Sequence, residues 1–215
     1  MKNVSQKTVG LVQLALLGAI IVLMTLIPFL GYIPLGVIRA TIIHVPVIIG
    51  SILLGPKKGA ALGFLFGLTS LLNNTFNPTI TSFVFTPFYS AAGLGGNPLS
   101  LIICFVPRIL VGIVPYYVYQ LLTKKCFHQK KGHVVSLGIA GIAGAMTNTI
   151  LVMNMIYLFF GQSYAQAREI AFSQLYTVAI LPVVGINGVL EAIISAILVT
   201  AVTKPLLKYN SSFRD

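Results

Sequence analysis

From Val9 to Phe29 the chain runs without a charged residue. A run of that length can cross the hydrocarbon of a bilayer, which takes about 17–25 apolar residues. No small-x-small cleavage site follows it, so it reads as a span and not as a removed signal peptide. The pattern then repeats, and six spans are expected at roughly 9–30, 36–54, 58–74, 98–122, 134–160 and 172–203. Composition agrees: 57% of the 215 residues are hydrophobic and 8% are charged, whereas a soluble domain carries about 25% charged residues. The expected fold is an all-α integral membrane protein, one domain built as a six-transmembrane-helix bundle.

The formal net charge is +11. In a soluble protein that would suggest nucleic acid, but here the basic residues flank apolar runs and read as topology anchors. Lys2, Lys7, Lys57, Lys58, Lys124, Lys125, Lys130, Lys131, Lys204, Lys208 and Arg214 all fall on one side of the six-span arrangement. Only Arg39, Arg108 and Arg168 fall elsewhere. The positive-inside rule therefore places both termini in the cytosol, in a multi-pass protein of the cell membrane with no nucleic-acid partner.

The stretch from Gly50 to Pro78 organises the bundle. A basic turn, Pro56-Lys57-Lys58, separates two apolar runs, and Gly55, Gly59, Gly63 and Gly67 recur every four residues. On a helix these glycines lie close to one face and let a neighbouring backbone approach. After Asn73-Asn74 comes the long second outer loop, to about Asn97, with Phe76, Phe83, Phe85, Phe88 and Tyr89. It is too apolar for a solvated linker and is expected to fold back over the outer mouth of the bundle. The third outer loop, near Gly161 to Glu169, is expected to be a polar turn. Pro46, Pro107, Pro115 and Pro182 lie inside spans and should kink helices and free carbonyls for other partners.

Charges inside hydrocarbon are costly and default to pairing or to function. Arg108 lies deep in the fourth span, about 15 Å along it at 1.5 Å per residue. Glu191 lies in the sixth span, one turn after Asn187. Two readings fit: an Arg108–Glu191 pair holding two helices, or an Arg108 fork that meets an anionic ligand group. Asn148, Asn154 and Asn187 offer amides that donate and accept, either between helices or to a ligand. His44 reads as an interhelical histidine, and Arg39, near the outer surface, as a snorkelling cation.

The acidic residues are Glu169, Glu191 and Asp215 alone. No carboxylate pair supports hydrolysis or a two-metal site. The chain has no phosphate-binding loop, no G-x-S-x-G and no H-E-x-x-H. Cys104 and Cys126 make neither a disulfide framework nor a metal site. No enzyme activity, cofactor or metal is expected.

The chain resembles the substrate-binding S components of energy-coupling factor (ECF) vitamin transporters. The likeness covers nearly its whole length. Ala15-Leu16-Leu17-Gly18-Ala19 is similar to the family's A-x-x-x-A motif, and ILLGPKKGAALGFLFGLTSLLNNTFNP followed by TSFVFTPF looks most similar to the pantothenate type. The resemblance implies a vitamin bound near the outer face. It also implies partners: a transmembrane coupling subunit, docked at Ala15 and Ala19, and two ATPase subunits. Pantothenate carries a carboxylate, an amide and two hydroxyls. Arg108 suits the first, and Asn74, Asn77, Asn154 and Asn187 suit the others. Tyr89, Glu191 and Arg39 complete the candidate set. Three alternatives stay open: another vitamin such as riboflavin, stacked on the aromatic loop; a small membrane enzyme; and an autonomous channel or carrier. The last is opposed by the absence of an internal repeat.

Overall fold

A computed structural model describes residues 6–27, 31–35, 38–91, 93–125 and 130–211. Helix α1 spans Gln6–Leu26. Strands β1, Tyr32–Leu35, and β2, Ile38–Thr41, pair antiparallel with Tyr32 opposite Thr41. Helices α2, His44–Leu54, and α3, Pro56–Phe76, form the hairpin expected around the basic turn. A short ladder, β3 Ser90–Ala91 with β4 Leu94–Gly95, interrupts the second outer loop. Helices α4, Leu99–Val111, α5, Val114–Lys125, and α6, Lys130–Ala167, follow. The last stretch opens as a 3-10 turn and two π-helical turns, Leu175–Ile180 and Val183–Gly188, and ends in α7, Val189–Ser211.

This is an all-α membrane protein. Among the described residues, four helical stretches are long and apolar enough to cross a bilayer: Lys7–Leu26, Leu99–Lys124, His133–Ala167 and Phe172–Lys208. α2 is apolar but shorter, and α3 ends in the amides Asn73 and Asn74. The second helix begins at His44 and not at residue 36. Ile38–Thr41 is instead strand, where β-branched residues fit a pleated pair and Pro34 sits in a two-stranded ladder whose outer edges need no donor. Pro46 therefore falls in the first turn of α2, where its missing N–H interrupts no helical bond.

Gly55 turns the hairpin. It adopts φ 89° and donates its amide to Ser51 O at 3.1 Å, and Pro56 starts α3 directly after it. The next three glycines do the packing. A methyl group at Gly59 would collide with the Gly112 carbonyl, one at Gly63 with the Arg108 carbonyl, and one at Gly67 with the Phe105 ring. The glycine face thus holds α3 against α4, and Cys104 Sγ adds a bond to Gly67 O at 3.3 Å. A methyl group at Gly55 would meet nothing, so this glycine serves the turn and not the packing face on which the spacing placed it.

The fourth span breaks at Gly112 into α4 and α5. The third outer loop is shorter than expected, because α6 continues to Ala167 across a kink at Phe160 (φ −131°, ψ 15°). The turn proper is Arg168-Glu169, with Glu169 at φ 57°. The second outer loop folds back as expected. Phe83 and Val84 are fully buried, Phe83 lies edge-on to Phe160 at 5.8 Å, and Ser100 Oγ donates to Phe83 O at 2.7 Å. Its core joins Ile103 of α4 with Ile156 of α6, separate from the core of α1, α2 and α3 around Ile21, Ile48 and Leu62.

Candidate functional site

Arg108 sits where α3, α4 and the second outer loop converge. It is 7% exposed, with its guanidinium 5.6 Å from the Phe66 ring centroid and 5.1 Å from that of Phe85. Aromatic faces attract a desolvated cation. Its Nη1 donates to Ile103 O at 2.9 Å. The cause is local. Pro107 has no N–H, so Ile103, four residues earlier, loses the donor that a regular helix would give it. The neighbouring guanidinium takes that place. Of the prolines expected to free carbonyls, Pro107 does so, and the carbonyl it frees holds the cation.

Glu191, at the start of α7, is 8% exposed. The Thr41 N–H donates to its Oε1 at 2.8 Å, and Thr149 Oγ1 donates to Oε2 at 3.4 Å. Next to Thr149, Asn148 Oδ1 is buried and has no hydrogen-bond partner among the described residues. Close approach of α6 and α7 makes this possible: a methyl group at Gly141 would meet the Ser195 carbonyl, and one at Gly188 would meet Thr149. His44, at the start of α2, is buried with Nε2 2.7 Å from Ser195 Oγ, in line with its reading as an interhelical histidine. Of the two readings, the Arg108–Glu191 pair is not seen among the described residues: an uncapped carbonyl and two rings meet Arg108, and a strand amide and a hydroxyl meet Glu191.

The other expected site residues scatter. Asn74 is tied into the loop: its Nδ2 donates to Ser70 O at 2.8 Å and its Oδ1 accepts from Ser82 Oγ at 2.8 Å. Asn77 is exposed and donates weakly to Asn73 Oδ1, at 3.3 Å. Tyr89 packs on the Phe83 cluster. Asn154 donates to Ile150 O at 2.8 Å and stands in register with Ile150 and Leu158, which are 41% and 72% exposed. It therefore lies on the outward side of α6. Asn187 is half-buried in the π-helical turn Val183–Gly188, just ahead of Glu191. Arg39 lies in β2, but its side chain lies outside the described residues. Ala15 and Ala19 are exposed on α1, beside exposed Leu11, Val12, Leu16 and Leu23.

A cavity of about 980 Å³ lies between α1 and α3, with Thr25, Thr41, Thr69, Asn73 and Asn77 among apolar walls. None of its described lining residues is charged. Thr41 joins it to the polar cluster, since the same residue lines the cavity and donates to Glu191.

Thr41, Thr149 and the two phenyl rings were not visible in advance as site residues. Asn148 was noted with Asn154 and Asn187, and the structure separates it from Asn154: it stands one turn from buried Gly144 and from buried Val152, on the inward face that Asn154 misses.

A family profile described as "ECF transporter, substrate-specific component" matches residues 10–203. The chain is 40% identical over 176 residues to "Pantothenic acid transporter PanT" of Lactococcus lactis subsp. cremoris (strain MG1363), covering 81% of each chain. It is 32% identical over 209 residues to "Pantothenate transporter PanT" of Leuconostoc mesenteroides subsp. mesenteroides, covering 94% of each. A profile match along almost the whole chain and two relatives of this extent agree with the membrane fold: the chain belongs to the family of substrate-specific components of ECF transporters.

Proposed function

We propose that this chain is the high-affinity pantothenate-binding subunit of an ECF importer. The observation that carries the reading is its similarity to two pantothenate transporters over most of their length. The polar cluster suits the ligand better than the cavity does. Pantothenate carries a carboxylate, and the described cavity lining has no cation to meet it. Arg108 offers a planar fork of donors for that carboxylate. Asn148 Oδ1 and the Asn187 amide suit the ligand amide, and Glu191 accepts a hydroxyl. The end of β2 meets this cluster through the Thr41 N–H, which donates to Glu191.

The chain crosses the membrane six times with both termini cytosolic. Supporting this are four apolar helical stretches of spanning length and the α2–α3 hairpin among the described residues, together with the one-sided lysines at Lys7, Lys57, Lys58, Lys124, Lys204 and Lys208. Ala15 and Ala19 form a docking face for a transmembrane coupling subunit, itself joined to two ATPases. Small, exposed side chains one turn apart let another helix approach closely.

The ligand test uses pantothenate against pantothenol, in which a hydroxyl replaces the carboxylate. The wild type should prefer the acid by at least about tenfold, and Arg108→Ala should lose that preference, since one member of a charge-assisted contact is worth about 2–5 kcal/mol. Arg108→Lys should fall between them. A folded Arg108→Ala that still prefers the acid assigns the carboxylate to another residue. For topology, single cysteines in a cysteine-free background should resist external labelling at Gln129 and accept it at Gln162. The reverse pattern overturns the orientation.

A further inference from the structure

Pro107 stands inside α4 and not at its end. A proline there forfeits one helical hydrogen bond and is the least suited of all residues to a helix interior. The loss falls on the Ile103 carbonyl, and Arg108 Nη1 donates to that carbonyl at 2.9 Å. At any other residue a backbone N–H would occupy this acceptor as the helix formed. A proline ring also crowds the carbonyl four residues before it and so disturbs its alignment with the helix. The contact made by Arg108 thus depends on its neighbour in sequence. Its effect is on the guanidinium. An arginine side chain turns about several bonds, but its terminal group is one rigid plane. The backbone bond and the Phe66 and Phe85 rings, 5.6 and 5.1 Å from the guanidinium carbon, fix where that plane lies. The backbone beneath it is held as well, because a methyl group at Gly63 would meet the Arg108 carbonyl. A guanidinium has five N–H donors, more than one carbonyl can accept.

We propose that Pro107 is a positioning residue for anion recognition: by leaving the Ile103 carbonyl to Arg108 it holds the guanidinium in the plane that meets the ligand carboxylate, and so sets the preference for an acid over an alcohol. This rests on the assignment of Arg108 to that carboxylate. Pro107 acts through Arg108 and has no N–H of its own to offer. A fork that is already ordered loses less freedom on binding than a loose one, so the gain appears as affinity. The gain is greatest for a carboxylate, which forms two parallel charge-assisted bonds with the fork and therefore needs the plane to be right. A hydroxyl forms one bond and tolerates a turned plane. The helix gives up stability at Pro107, and the site gains selectivity.

The experiment uses the full chain in lipid nanodiscs, with pantothenate and pantothenol as ligands. Pro107→Ala restores the N–H and removes the ring. It should lower the preference for the acid about two- to tenfold, the worth of one ordered side chain, with pantothenol bound as in the wild type. Tm should hold or rise, because alanine suits a helix interior better than proline. A lower Tm with both ligands weakened alike overturns the proposal, since that is the mark of a damaged fold. In an Arg108→Ala background, Pro107→Ala should change neither affinity, and a further loss there overturns action through Arg108. Without ligand, nitrogen NMR of the arginine side chains reads the guanidinium directly. The Arg108 Nη signals, identified by their loss in Arg108→Lys, should be split by hindered rotation in the wild type and should merge in Pro107→Ala. Unchanged signals overturn the hold on the guanidinium, and merged signals with an unchanged preference overturn its role in selectivity. If the wild type does not prefer the acid, or Arg108→Ala keeps that preference, the functional reading fails and this inference with it. If Arg108→Ala loses the preference and Pro107→Ala keeps it, the inference alone fails.

Discussion

The α3–α4 seam and the seam that joins α2 and α6 to α7 hold helices together by opposite means. In a bilayer the apolar surfaces of two helices gain little from meeting, because lipid tails are equally apolar. The first seam therefore relies on shape. Gly59, Gly63 and Gly67 bring the α3 backbone against that of α4, and the same contact fixes the Arg108 carbonyl. The second seam adds polar rungs to its close approach: Thr41 and Thr149 on Glu191, and His44 on Ser195. A seam set by shape has one arrangement and fails abruptly. One set by hydrogen bonds can open and reclose, because each rung is worth little alone.

The largest effect is expected where shape rules. Gly63→Val would drive a side chain into the Arg108 carbonyl, with no flexible neighbour to yield. It should cost about 3 kcal/mol or more, roughly 6–12 °C in Tm for a chain of this size, and abolish pantothenate binding. Thermal unfolding in detergent measures it, and a Tm within about 2 °C of wild type would mean that the seam can part. Gly55→Ala, in the turn ahead of α3 where an added methyl group would meet nothing, should cost only about 1 kcal/mol through its φ of 89°.

On the polar seam the losses should be graded. Glu191→Ala leaves the Thr41 amide without its acceptor and should cost about 1–3 kcal/mol. Thr149→Val removes a long, 3.4 Å contact and should cost about 0.6 kcal/mol, the typical worth of a hydrogen bond between membrane helices. If Thr149→Val proves as damaging as Glu191→Ala, Thr149 has a second role, and Asn148 beside it is the place to look. Asn154→Leu should be smallest of all, within about 0.5 kcal/mol, because that amide faces outward among Ile150 and Leu158 and bonds only to its own helix. Ligand affinity should be unchanged too, and a measurable loss would bring Asn154 back into the site.

Much of the bundle was legible in the chain. Apolar run length marks helices that cross a membrane because no other open backbone can satisfy itself there. The glycine spacing foretold a close helix approach at Gly59, Gly63 and Gly67 but not its partner α4, and the hairpin foretold at Pro56-Lys57-Lys58 turns one residue earlier, at Gly55. The family likeness also came through unbroken stretches such as ILLGPKKGAALGFLFG. The start of α2 was misjudged because Ile38–Thr41 is apolar enough for either a helix or a strand, and run length cannot separate the two.

The site was legible in part, and the division has a physical cause. A charge deep in an apolar run must be compensated wherever the chain folds, so Arg108 and Glu191 announced themselves. Their partners did not, because compensation is a matter of distance between segments far apart in sequence. The amide that meets Glu191 belongs to Thr41, 150 residues earlier, and is a backbone group that any residue would supply. The asparagines carry the same lesson. Asn148 and Asn154 have identical chemistry six residues apart, and only the rotation of α6 within the bundle turns one inward and the other out. The sequence by itself determined a membrane bundle, its glycine seam and its two buried charges. Tertiary structure decided which polar groups meet, because hydrogen bonds are made across helices and run length and periodicity are properties of one helix at a time.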